Sequence, residues 1–228
     1  FKPVTLGIYL KGEKPLFASL RFSVNQHAEI VTSKGTAGIG TDFFTSPAPI
    51  ESSPSNVNFI TSIFATEDNT TVSINNFDPT IIFSDNNSRT SFNFTLQKGQ
   101  SYIIEGSDTY TQNWQGFIGA KITSTKPISV TNGNFNGQYV STTLASTDIL
   151  MDQSVSVDKL GKEFVLVKGN GTIHATTSDT YSQNMEKAFI VASANGTNIY
   201  VNNETIPINS VPLNAGQSIV VGSEKYIN

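Results

Sequence analysis

The sequence predicts an all-β protein made of two tandem repeats, and three observations carry that prediction. Apolar and polar residues alternate through most of the chain, as in Phe92, Phe94 and Leu96 of SFNFTL and Ile199 and Val201 of NIYV. That period of two puts apolar side chains on one face of a strand. Asn, Asp and Gly interrupt the alternating runs at turn-like intervals. Finally, several motifs recur in the same order about 110–125 residues apart, which is the signature of an internal repeat.

The elements follow in chain order. EKPLFAS (13–19) and GTDFF (40–44) open the first copy. TSPAPIESSPSN (45–56), with three prolines and four serines, reads as an ordered excursion or flexible loop joining strands. VNFITSIFA (57–65), TVSI (71–74), SFNFTL (91–96) and SYIIEG (101–106) read as strands. Glu67-Asp68-Asn69 and Lys98-Gly99 lie between them as expected tight hairpin turns, because Asn and Gly tolerate left-handed backbone. In the second copy TKPISVT (125–131), EFVLVKG (163–169), KAFIVASA (187–194), NIYV (198–201) and LNAGQSIVV (213–221) take the same parts. No stretch carries the i, i+3, i+4, i+7 apolar pattern of a helix.

The repeat is read from four paired motifs. ATEDNTTVSINN (65–76) is echoed by ASANGTNIYVNN (192–203), LQKGQSYII by LNAGQSIVV, GTDFF by GKEFV and EKPLFAS by TKPISVT. Their separations are 127, 117, 121 and 112 positions. The expected domains are 1–112 for the first β repeat and 113–228 for the second, with further copies to follow in a longer parent. About seven or eight strands per copy suit a β-sandwich. A β-propeller with about two blades per copy is the alternative. SDTYTQN (107–113) recurs as SDTYSQN (178–184) outside this register.

Composition narrows the function. Of 228 residues, 37% are hydrophobic and 14% charged, with a net charge of −4. The acidic balance and scattered Lys and Arg argue against nucleic acid, which calls for a basic stripe. No apolar run is long enough to span a bilayer as a helix. The absence of cysteine excludes disulfides, thiol nucleophiles and thiolate zinc sites. The low-charge, Thr/Asn-rich composition favours an extracellular location.

Catalysis finds little support. The two histidines, His27 and His174, have no G-x-S-x-G elbow to join, and GTAGIG (35–40) lacks the Lys-Ser/Thr of a phosphate loop. The acid pair Glu67-Asp68 is replaced by Ala194-Asn195 in the second copy, so it reads as a turn. Ser156 and Lys159 match S-x-x-K, a pattern too common to carry weight alone. An enzyme is therefore not expected, nor any cofactor except calcium. Oxygen-rich stretches could hold that ion, with Asp78, Asp85, Asp148 and Asp152 as candidate ligands against a reading as solvated turns. Tyr110, Asn113 and the single tryptophan, Trp114, with Gln112 and Gln115 beside them, are the candidate ligand-binding cluster. Sugar rings stack on flat side chains, although Trp114 could equally pack over the core. Six N-x-S/T sequons stand at Asn69, Asn86, Asn93, Asn170, Asn195 and Asn203.

HAEIVTSKGTAGIGTDFF, ATEDNTTVSI, LQKGQSYII and TSTKPISVTNGN, with DQSVSVDKLGKEFVLVKG, ASANGTNIYV and LNAGQSIVV in the second copy, resemble the IgGFc-binding protein N-terminal domain family. The resemblance covers most of the chain and rests on turn-plus-strand motifs. It implies a non-catalytic adhesion or interaction module of the kind found in large Bacteroidota surface proteins exported by the type IX pathway. The expected partners are a host or environmental surface ligand, protein or glycan, and other domains of the same long chain. A carbohydrate-binding module is the alternative function, and a structural stalk spacer the next. The resemblance supplies no catalytic residues.

Overall fold

The computed structural model describes residues 1–24, 27–51, 53, 56–138, 147–167, 187–222 and 225. Asn170, His174 and the stretch 178–184 lie outside the described residues. By compactness the chain divides into Phe1–Leu160 and Gly161–Asn228, and each unit is described by itself. Both are all-β, and among the described residues helical backbone is confined to three short 3-10 turns.

The first unit contains β1 (Ser19–Val24), β2 (His27–Thr32), β3 (Ile39–Phe44), β4 (Asn58–Ala65), β5 (Thr70–Asn75), β6 (Phe92–Leu96), β7 (Ser101–Glu105), β8 (Lys121–Gly137) and β9 (Asp148–Gln153). The 17-residue β8 organises it. On one edge its first part pairs with β5 (Asn75↔Lys121 to Val72↔Ser124) and its second part with β4 (Ala65↔Ile128 to Asn58↔Asn136). On the other edge β3 and then β9 do the same. β6 adds to β5, and β7 adds to β4. Two half-sheets, β6-β5-β8-β3 and β7-β4-β8-β9, therefore share β8 and enclose one core.

The alternation seen in the sequence fills that core. Ile63, Val72, Ile74, Leu96, Ile104, Ile122, Ile128 and Val130 are fully buried between the half-sheets. Phe59 and Phe117 stack at 4.4 Å, and Phe94 of β6 stacks on Tyr102 of β7 at 3.8 Å. The arrangement is sandwich-like and does not form propeller blades. The proline-rich excursion is ordered at its start. Asn132 and Asn134 of β8 point buried amides sideways and accept the Ser46 and Ala48 N–H groups at 2.6 and 2.7 Å. These side chains supply a ladder where a strand's backbone would otherwise do so.

The turns expected to close hairpins do something else. β4 and β5 do not pair with each other, because both run antiparallel to the same β8. The chain at 66–69 is a corner at which one strand leaves one half-sheet for the other. Residues 97–100 form a second corner, from β6 to β7. The two corners are laced together. The Ala65 N–H donates to Gln100 O and the Gly99 N–H to Ala65 O. The Lys98 N–H donates to the Asp68 carboxylate at 2.9 Å. The bend in β8 falls alongside, at the Lys-Pro step. Residues 125–127 pair with neither edge partner, so a proline without an N–H is tolerated there. The Pro127 carbonyl accepts both the N–H and the hydroxyl of Thr66, at 3.3 and 2.6 Å. Three of the four motifs that recur in the sequence are thus the three bends of one corner, and the fourth, GTDFF, lies in β3.

The second unit repeats the lacing of the first two bends. Its strands β10 (Ala188–Val191) and β11 (Ser218–Val221) pair as Ala188↔Val221 to Val191↔Ser218. That is the register of Thr61↔Ile104 to Phe64↔Ser101 in the first unit. Ala192 N–H donates to Gln217 O, Gly216 N–H to Ala192 O, and the Thr197 hydroxyl to Ala194 O at 2.7 Å. Each has its counterpart at Ala65, Gly99 and Thr70. Asn195 accepts the Ala215 N–H at 3.0 Å, as Asp68 accepts that of Lys98. The acid at position 68 is therefore a structural acceptor that an amide replaces.

The repeat division at 112/113 and the packing division after Leu160 fall at different places. β8 carries the Lys-Pro motif of the second copy but lies in the middle of the first unit's sheet.

Candidate functional site: the groove beside Trp114

The paired motifs drift from 127 to 117 positions apart, so the first copy carries ten extra residues between the two motifs. They fall in 76–91, between β5 and β6, where the second copy has only 203–208. The insertion folds back over the end of the core. Ile81 and Phe83 are fully buried, and the Phe83 ring meets Phe59, Phe92 and Phe117 edge-on. The Ser84 N–H donates to Glu105 O, and the Ser107 N–H to Ile82 O.

A short 3-10 turn, Thr111–Trp114, docks on this insertion through Asn113. Asn113 is 2% exposed. Its Oδ1 accepts the Ile82 N–H at 3.0 Å, and its Nδ2 donates to Ile82 O and Ser107 O at 2.6 and 2.8 Å. Its amide is fully engaged with backbone and faces away from solvent. Phe117 then anchors the following turn in the core.

Between the insertion, the turn and the start of the proline-rich excursion lies an open groove of about 400 Å³. Its lining includes Trp114, Asp78, Glu51, Gln112 and Gln115, over an apolar floor at Ile50. Trp114 is half-buried, with its neighbours Gln112 and Gln115 exposed. The Gln115 amide donates to Ile50 O at 3.0 Å and ties the turn to the excursion. Asp78 accepts both the N–H and the hydroxyl of Thr80, at 2.8 and 2.7 Å. Those two bonds hold its carboxyl below the usual carboxylate range, so it stays ionised. The groove thus offers a flat indole, a carboxylate fixed in place, a second carboxylate and two primary amides. Such a set accepts from hydroxyl groups and donates to ring or carbonyl oxygens.

The structure brings together members of two separate candidate groups, Trp114 and Asp78, and separates the others. Tyr110 is 39% exposed but is not part of the groove lining. Asp148 faces His27 Nδ1 at 3.1 Å, and Asp152 faces Lys34 Nζ at 2.6 Å, both on β9. Among the described residues no three His, Asp or Glu side chains are grouped closely enough to share a metal ion. Glu51 and Ile50 carried no signal in the sequence, since only the fold brings the excursion beside Trp114.

Asp85 is paired with the Arg89 guanidinium, which also lies over the Phe1, Phe83 and Phe92 rings at 5.0, 5.6 and 5.3 Å. The Arg89 bond is the main reason its carboxyl is lowered from 3.8 to about 2. A depressed carboxylate stabilises the fold above its unfolded pKa, and the contribution is lost as pH falls through the folded one. Screening at this surface position limits it to about 1 kcal/mol. Asp85→Asn is therefore expected to lower the melting temperature by a few degrees at neutral pH. The difference from wild type should vanish as the pH approaches 2.

The sequence profile described as IgGFc binding protein matches residues 28–227, and the chain belongs to that family. It is a family of binding domains, not of enzymes, and its domains are typically extracellular. No curated protein and no solved structure matches the chain. Among the described residues no helix is long and apolar enough to cross a membrane.

Proposed function

We propose that this chain is a non-catalytic adhesion module of a larger secreted surface protein, as in the Bacteroidota adhesins it resembles. In this reading it binds a polyhydroxylated ligand, a glycan chain, in the groove beside Trp114. One observation carries the proposal: the chain's only tryptophan lies half-buried in an open groove with Asp78, which the insertion between β5 and β6 contributes, and Glu51. Trp114 would stack on a sugar face. Asp78, Glu51, Gln112 and Gln115 would take its hydroxyls, the charge-assisted bonds to the carboxylates being the stronger ones.

A glycan array probed with wild type and Trp114→Ala tests this. Affinity for the retained glycans is expected to fall about tenfold or more, the scale of a contact worth ~1.4 kcal/mol. Binding indifferent to the substitution would remove the groove from the account. Immunoglobulin Fc, the ligand in the family's name, belongs in the same experiment as a protein arm. A spacer role has its own support in β8, which links successive copies through one sheet, and it predicts no ligand in either arm.

A further inference from the structure

We propose that the groove beside Trp114 selects sugar residues carrying a free, protonated amine over their hydroxyl and N-acetyl counterparts. This selectivity rests on the reading of the groove as a glycan site and names the sugar chemistry that the site prefers. Charge points to it first. Glu51 and Asp78 both line the groove, and among the described residues its lining contains no Lys, Arg or His. Both acids are exposed, and among the described residues neither is held in an ion pair. The groove therefore presents negative charge with no cation of the protein's own to offset it. A ligand that brings a positive charge is attracted, and one that brings a carboxylate or sulfate is repelled.

The hydrogen-bonding groups that the fold leaves over have the same bias. Asp78 Oδ1 accepts both bonds from Thr80, so Oδ2 has no partner among the described residues. The Asp78 N–H donates to Gly116 O at 2.9 Å, which ties this carboxylate to the turn that carries Trp114. The two amides of the lining engage the protein through donors. Gln115 Nε2 donates to Ile50 O at 3.0 Å and Gln112 Nε2 to Thr80 O at 3.5 Å, while neither Oε1 is engaged among the described residues.

What remains for a ligand is mostly acceptors: Asp78 Oδ2, the Glu51 carboxylate and two amide oxygens. An ammonium has three N–H donors and no acceptor, so it complements such a set. A hydroxyl donates once and carries no charge. An N-acetyl group loses the charge and adds a carbonyl that needs a donor. The indole strengthens the preference, because a cation over its face is drawn to the ring's negative quadrupole. The Thr111 hydroxyl and the second N–H of each amide can orient the other oxygens of the sugar ring.

The test uses tetrasaccharides of glucose, N-acetylglucosamine and glucosamine, identical apart from the group on carbon 2, and a galactose-configured set in parallel. Each is titrated into the chain at about pH 6, where the amine is protonated, and binding is followed by calorimetry. In one of the two sets the free-amine form is expected to bind about tenfold or more tighter than its two counterparts. About 0.5 M NaCl should remove that advantage and leave the neutral forms unchanged. Glu51→Gln with Asp78→Asn should reduce the advantage to below about threefold. Glu67→Gln, which neutralises an exposed acid at the 66–69 corner, should leave it intact. Equal affinity for all three forms, each weakened by Trp114→Ala, overturns the amine preference and leaves the groove as the glycan site. Amine binding that Trp114→Ala does not weaken removes the groove itself. An advantage that survives the double substitution belongs to the general acidity of the chain and overturns the proposal, as does the absence of binding by both free-amine forms.

Discussion

Gly133→Ala is expected to destabilise the first unit by about 3 kcal/mol or more, enough to lower its melting temperature by roughly 10 °C. Gly133 lies in β8 between β4 and β9, with φ of 149°. A Cβ there would meet the Leu150 carbonyl oxygen at 1.9 Å and Met151 Cα at 2.8 Å. Both are backbone atoms of β9, so no side-chain rotation relieves the clash, and the strands must part. Gly99 is the control. It also has positive φ, 80°, but nothing lies within 4 Å of its Cβ position. Gly99→Ala should therefore cost only about 1 kcal/mol, the local backbone preference. Thermal denaturation followed by circular dichroism separates the two, and equal losses would mean that β8 and β9 do not approach as described.

Asn113→Ala is the second large effect, and it reaches function through structure. The substitution leaves the Ile82 N–H without its acceptor and removes both donors from the Ile82 and Ser107 carbonyls. At 2% exposure, water cannot easily replace them. The expected loss is about 2–4 kcal/mol, since each buried group left unpaired costs about 1–3. The insertion and the Trp114 turn should also separate, so ligand binding in the groove is lost although no lining residue has changed. Asn113→Asp should not rescue, because a carboxylate can accept from Ile82 but cannot donate to the two carbonyls. A melting temperature within a degree of wild type would show that Asn113 does not carry the turn.

The strands were legible because their alternation is regular and their turns are chemically marked. β4, β6, β7, β10 and β11 all fall within runs read from the sequence, and β5 extends TVSI by one residue at each end. What could not be read was pairing. Glu67-Asp68-Asn69 and Lys98-Gly99 have hairpin chemistry, yet they are corners. The outcome lies in the pairing instead: β4 and β5 both take β8, from a distant part of the chain, as their partner, and the two bends bond to each other through Ala65, Gly99 and Asp68. EFVLVKG reads as a strand from its side chains, but none of its described residues lies in a strand, and its counterpart in the first unit, the end of β3, depends on β8 for a partner. Local pattern specifies that a segment can be a strand; the neighbour that makes it one lies elsewhere.

The site was half legible for the same reason. Trp114 stands out as a lone tryptophan among amides, and Asp78 as an acid in an oxygen-rich loop. Nothing in the sequence joins them, because the contact is made by Asn113 reaching the backbone of Ile82 and Ser107. Asn113 was read as a ligand contact from its neighbours, and burial gives it a positioning part instead. The internal repeat proved the most informative signal. Comparing copies picks out the residues that make the corner, and it marks the insertion between β5 and β6 that contributes Asp78 to the groove.

Binding in the groove beside Trp114 can be read directly, because Trp114 is the chain's single tryptophan. Intrinsic fluorescence is followed while a glycan retained on the array is titrated into wild type and into Asp78→Asn. The expected result is a saturable change in Trp114 emission that matches the binding isotherm in wild type and is weakened about tenfold or more in Asp78→Asn, as loss of a charged hydrogen bond requires. A glycan that binds with full occupancy while Trp114 emission stays constant would contradict the claim.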